Sequence, residues 1–61
     1  MESRYVTEKK LAEWLDLAVP TIQRFRYENR GPRYVKFGSS VRYAIADVEA
    51  WIASQPTGGG R

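Results

Sequence analysis

The chain has 61 residues, a net charge of +3, and neither cysteine nor histidine. A domain this short buries only about 60% of the surface its unfolded chain exposes, which leaves room for one thin core and not for a deep, dry substrate cleft. With no Cys and no His there is no disulfide framework, no thiolate zinc site and no imidazole to serve as base or metal ligand, so neither a metal nor a cofactor is expected.

No apolar run approaches the ~20 residues of a membrane span, and the N-terminus has no signal-peptide h-region, which predicts an intracellular soluble protein. The charge is unevenly placed. Between Pro20 and Arg42 stand six positive residues (Arg24, Arg26, Arg30, Arg33, Lys36 and Arg42) against Glu28 alone, while the rest of the chain has four positive and six negative residues. A molecule polarised in this way suits a polyanion such as nucleic acid; a basic surface serving solubility is the plainer alternative.

The first periodic stretch is "TEKKLAEWLDL". Thr7 is a fair N-cap, Glu8 suits the positive end of the helix dipole, and Leu11, Trp14 and Leu15 recur at helical spacing. Asp16 tolerates the left-handed geometry of a tight turn, under which Leu17 is expected to plug the core. A second helix is predicted from about Val19 to Asn29, with Pro20 in the first turn, where no intrahelical donor is lost. At 100° per residue, Ala18, Ile22, Phe25 and Asn29 share one side, flanked by Val19 and Arg26, and Pro20, Gln23, Arg24 and Tyr27 share the other. Arg26, near the buried edge, has two open partners, a carboxylate or a phosphate.

Gly31-Pro32 breaks this helix. "RYVKF" and "VRYAI", joined by "GSS", read as a β-hairpin with a three-residue connection. Its apolar face is expected to hold Val35, Phe37, Val41, Tyr43 and Ile45, and its outward face Lys36 and Arg42. In "DVEAWIAS", Val48, Trp51 and Ile52 form one stripe of a closing helix with Asp47 at or near its cap. Trp14, Phe25, Phe37 and Trp51 are expected as core anchors rather than stacking platforms. The folded domain spans 4–54, and "QPTGGGR" at 55–61 is a flexible tail.

Two helices across a tight turn, a basic two-stranded wing and a closing helix make a mainly α winged helix-turn-helix. The pieces "LAEWLDL", "TIQRFR", "GPRYVKFG", "VRY" and "DVEAW", in that order, resemble the phage and plasmid excisionases and the AlpA-like regulators, relatives of the MerR DNA-binding domain. The resemblance covers about Tyr5 to Ile52. Two places depart from it: Asp16 stands where the family often has Gly, and Ala18 where Ser or Thr caps the second helix, a loss of about 1 kcal/mol that Pro20 offsets in part by stiffening the turn. What the resemblance implies is a recombination directionality factor in a bacterial host cytoplasm. Such a protein binds and bends attachment-site repeats, sometimes side by side with further copies, and turns an integrase toward excision. AlpA-like transcription regulation is the alternative within the family, and a basic adaptor or antirepressor docking an acidic protein is the alternative outside it.

The residues suit the DNA reading on their own chemistry. In a major groove Gln23 can pair with adenine N6/N7 and Arg24 with guanine O6/N7, and Tyr27 can reach a phosphate or a thymine methyl. Thr21, beside Pro20 in the first turn, either meets a phosphate or makes a local hydroxyl–backbone bond. Lys36, Ser39, Ser40 and Arg42 reach the backbone or the adjacent minor groove, unless the hairpin tip is merely solvated. An enzyme is not expected: Asp47 and Glu49 sit near a helix cap, and Ser39-Ser40 has no base arranged for it.

Overall fold

The computed structural model describes residues 4–59. The elements run β1 (Tyr5–Val6), α1 (Glu8–Leu15), α2 (Val19–Tyr27), β2 (Val35–Phe37), β3 (Ser40–Ala44) and α3 (Ile45–Ala53). They make three helices and one antiparallel sheet in the order β1-β3-β2.

Helix α1 begins where Thr7 Oγ1 accepts the Lys10 N–H at 3.1 Å. It ends at Asp16, whose φ of 57° is left-handed, as the tight turn requires. The Leu17 N–H then reaches back to the Ala12 carbonyl at 2.9 Å. Leu17 does not plug the core, however. It sits on the outside of this closure, 41% exposed, and its neighbours Leu15 and Val19 pack against the core instead. Helix α2 starts at Val19 with no side-chain cap on Ala18, and Pro20 lies in its first turn. It stops two residues earlier than the periodicity predicts. Asn29 turns left-handed at φ 57° and the Arg30 N–H bonds the Phe25 carbonyl at 2.8 Å, the same closure that ends α1. Gly31 fits closely next, since a Cβ there would stand 3.2 Å from Phe25 Cβ and push that neighbour by a few tenths of an ångström.

The hairpin departs from expectation in one residue, with a large effect. Its connection is Gly38–Ser39, two residues and not three, with Gly38 at φ +66°. Positive φ at the first central residue is the pattern that follows strand twist in a two-residue turn. Phe37 therefore faces Ser40, Lys36 faces Val41 and Val35 faces Arg42. Cross-strand partners share a face, so shortening the loop by one residue turns β2 over relative to β3. Val41 and Tyr43 do face inward, but Val35 and Phe37 belong to the opposite face with Ser40 and Arg42. Lys36 and Arg42 do not share a face.

The third strand, β1, was not expected; a two-residue strand is too short to show a period. Tyr5 pairs with Ala44 and Val6 with Tyr43. The Ile45 N–H, at the start of α3, extends the ladder to the Arg4 carbonyl at 2.9 Å. Ile45 is thus the first residue of a helix and not the last of a strand, and Asp47 lies inside the first turn of α3.

The described core is Leu11, Ala12, Ile22, Tyr43 and Val48, with Val6, Leu15, Val19 and Val41 packed against it. Of the four expected anchors, Phe25 and Trp51 are half-buried, with ring centroids 6.1 Å apart. Trp14 and Phe37 are 42% and 53% exposed, and Ile52 is also partly outside. Phe37 instead meets Tyr5 edge-on across the outer sheet face, centroids 5.5 Å apart. Beyond α3, residues 55–59 hold no regular element; residues 60 and 61 of the expected tail lie outside the described residues.

These burials rank two substitutions. A domain of this size has a stability of about 3–9 kcal/mol. Leu11→Ala empties a fully buried position and should cost about 2–5 kcal/mol, enough to unfold much of the population. Phe37→Ala, at a half-exposed ring, should cost about 1 kcal/mol or less. Urea unfolding followed by tryptophan fluorescence should show the two in that order, the reverse of a ranking by side-chain size.

Candidate nucleic-acid interface

Two of the six cations in the 20–42 segment are neutralised within the fold. Arg30 Nε lies 2.8 Å from Glu28 Oε1 at the surface, with its guanidinium over the Phe25 ring at 5.0 Å. Arg26 has the carboxylate, of its two open partners. Its Nε and Nη2 both lie 2.8 Å from Glu8 Oε2, and the two side chains are only 16% and 18% exposed. Burial by itself would favour a neutral guanidine, but the hydrogen bond and charge of Glu8 outweigh it and hold the Arg26 pKa above its ordinary value. The guanidinium is also sandwiched near Tyr27, 4.8 Å from the ring centre, and Tyr34, 5.8 Å away. Beside it, burial and the Glu8 charge push the Tyr43 phenol up from its ordinary value, which keeps it neutral.

Arg24, Arg33, Lys36 and Arg42 make no ion pair among the described residues. Along α2, Pro20, Arg24 and Tyr27 are exposed, and Tyr27 is 73% accessible. Thr21 and Gln23 are half-buried. Gln23 is the informative one, because its Nε2 donates to Glu8 Oε1 at 3.3 Å. A carboxylate only accepts, so the amide must turn its nitrogen inward and its carbonyl away from Glu8. Lys36, Ser39 and Ser40 are exposed at the hairpin. Arg42 is half-buried and donates from Nη1 to the Val41 carbonyl at 2.8 Å.

The structure thus brings Pro20, Thr21, Gln23, Arg24 and Tyr27 onto one helix, with Arg26 beneath them. It divides the hairpin residues between two faces: Lys36 on one, Ser40 and Arg42 on the other. Glu8 was read only as a partner of the helix dipole, yet it joins α1 to α2 through both carboxylate oxygens. The signal was present. Glu8, Leu11, Ala12 and Leu15 fall on one helical stripe, and a carboxylate on an apolar stripe calls for a cation from the element packed against it.

No model of a known protein family matches the chain, and no curated protein matches it in sequence.

Glu8→Gln keeps the shape of this junction and removes its charge, leaving the Arg26 guanidinium poorly compensated. Chemical denaturation should show a loss of about 1–3 kcal/mol. Replacing both partners by apolar residues, Glu8→Leu with Arg26→Met, should recover most of that loss, since no buried charge is then left unpaired. Equal stability of Glu8→Gln and the parent would mean that the pair contributes nothing to holding α1 on α2.

Proposed function

We propose that this protein binds double-stranded DNA as a winged helix-turn-helix, with α2 in the major groove and the β2–β3 hairpin as the wing. The observation that carries this reading is the charge left over after internal pairing. Four cations with no ion pair among the described residues lie on α2, the hairpin and the link between them, next to a helix side that exposes Arg24 and Tyr27 and borders the half-buried, oriented Gln23 amide. Arg24 would read guanine and Gln23 adenine from the groove edge. Thr21 and Pro20 would sit at the phosphate end of the helix. Lys36 and Arg42 on opposite faces suit a ribbon entering a narrow groove, whose two walls are both lined with phosphate.

The order of elements and the basic wing support an excisionase-type directionality factor acting in a bacterial host cytoplasm with an integrase as partner, and not an enzyme. No helix among the described residues is long and apolar enough to cross a membrane.

Four unpaired cations give a salt dependence to test. The logarithm of duplex affinity should fall against log salt with a slope of roughly −3 to −4. A slope near zero would overturn the nucleic-acid reading and favour an acidic protein partner. On a duplex selected from a random pool, Gln23→Ala and Arg24→Ala should each cost about 1–3 kcal/mol and relax base preference. Arg42→Ala should instead weaken selected and random duplexes by a similar factor. Excision by the cognate integrase, assayed with and without the protein, separates the directionality role from transcription control.

A further inference from the structure

A sugar–phosphate strand separates the major groove from the adjacent minor groove. A protein that places a helix in one and a hairpin in the other must let that strand cross between them. In this fold residues 28–34 join α2 to β2, the two elements that would enter those grooves. This link borders a recess of about 320 Å³ lined by Arg26, Asn29, Gly31, Pro32, Arg33 and Tyr34.

The lining has the chemistry of an anion seat, and no carboxylate belongs to it. Arg26 commits Nε and Nη2 to Glu8 and also donates to the Tyr43 phenol, so its guanidinium lines the recess as a fixed positive charge. The rings of Tyr27 and Tyr34 flank the guanidinium and limit its rotation. Arg33 is exposed and makes no ion pair among the described residues. Asn29 is exposed and held at φ 57° by the helix closure, so its amide is presented from a fixed backbone. Gly31 allows the link to lie close against Phe25, and the buried Pro32 gives the recess a rigid floor.

We propose that this recess seats one backbone phosphate of the DNA duplex, held by the Arg33 guanidinium and the Asn29 amide beside the fixed charge of Arg26. The proposal rests on the DNA-binding reading and adds a contact that lies on neither the helix nor the wing. It gives the Arg26 guanidinium, held by Glu8 and Tyr43, a second role as a fixed positive charge at the wall of the recess. Arg33 is a pure backbone contact, which positions the protein without reading sequence.

The test uses the full chain and a selected duplex carrying one neutral methylphosphonate, moved along each strand in turn, with affinity read by fluorescence anisotropy. Arg33→Gln should weaken every unmodified duplex about tenfold, the size of one charge-assisted hydrogen bond, and should reduce the salt slope by about 1. Asn29→Gly, which keeps the left-handed backbone and removes the amide, should weaken binding in the same sequence-independent way. At one phosphate, between the bases lost to Arg24→Ala and those flanking the hairpin, the methylphosphonate should weaken the parent protein while Arg33→Gln adds no further loss. Parent-like binding by Arg33→Gln would overturn the seat. So would an equal Arg33→Gln loss at every methylphosphonate position, because no phosphate would then be its partner. Salt-sensitive duplex binding by the parent in either case would leave the DNA reading standing. A parent protein that binds no duplex would remove both. Saturation of the recess by inorganic phosphate, seen as Arg33 and Asn29 amide shifts, without the duplex coupling would identify a small-anion site and overturn the proposal as stated.

Discussion

The burial of Tyr43 among Leu11, Ala12, Ile22 and Val48 is the constraint around which the molecule is built. Tyr43 sits on the central strand of the sheet, paired with Val6 of β1, and α1 contributes Leu11 and Ala12, α2 Ile22 and α3 Val48 to the same cluster. A 61-residue chain cannot enclose much more than this. Larger rings are left half outside for that reason, and Trp14 and Phe37 gain less from burial than their size suggests. A core this thin also makes edge interactions count. The Glu8 carboxylate, engaged by Gln23 and Arg26, closes the side of the α1–α2 contact that apolar packing does not cover.

That same carboxylate links stability to the proposed function. By accepting from Gln23 and Arg26 it orients two side chains of α2: an amide whose nitrogen faces Glu8, and a guanidinium that also donates to the Tyr43 phenol. A side chain held in one rotamer loses less entropy on meeting a ligand than a free one does. Arg24, by contrast, is exposed and makes no ion pair among the described residues, so α2 carries an oriented amide beside an exposed guanidinium.

The cations are sorted by the fold in a way that their number does not convey. Arg26 and Arg30 face carboxylates, while Arg24, Arg33 and Lys36 are exposed and Arg42 is half-buried, none of these four ion-paired among the described residues. Surface potential follows the unpaired group, the half-buried Arg26–Glu8 pair contributes to the fold, and the exposed Arg30–Glu28 pair contributes little to it. The separation of Lys36 from Arg42 follows from the Gly38–Ser39 turn, so one loop residue determines how the hairpin's charge is distributed.

Much of this was legible in the residues alone. The Thr7 cap, the left-handed Asp16, the Pro20 start, the Gly31-Pro32 break and the apolar stripes of α1 and α2 are local features, decided by backbone sterics and neighbours within a turn or two. The basic segment and the exposure of Pro20, Arg24 and Tyr27 on α2 are legible for the same reason, whereas Gln23, expected on that outward side, is half-buried against Glu8 of α1. What the tertiary structure decided is whatever depends on residues far apart in the chain. Tyr5–Val6 becomes a strand only because β3 offers an edge to it, and no period exists in two residues. The face of β2 depends on register, which a two- or three-residue turn sets in opposite senses. The choice of Glu8 as the partner of Arg26 required two helices to be packed at a definite angle, since an ion pair across 18 positions is a matter of distance in space and not of spacing in sequence.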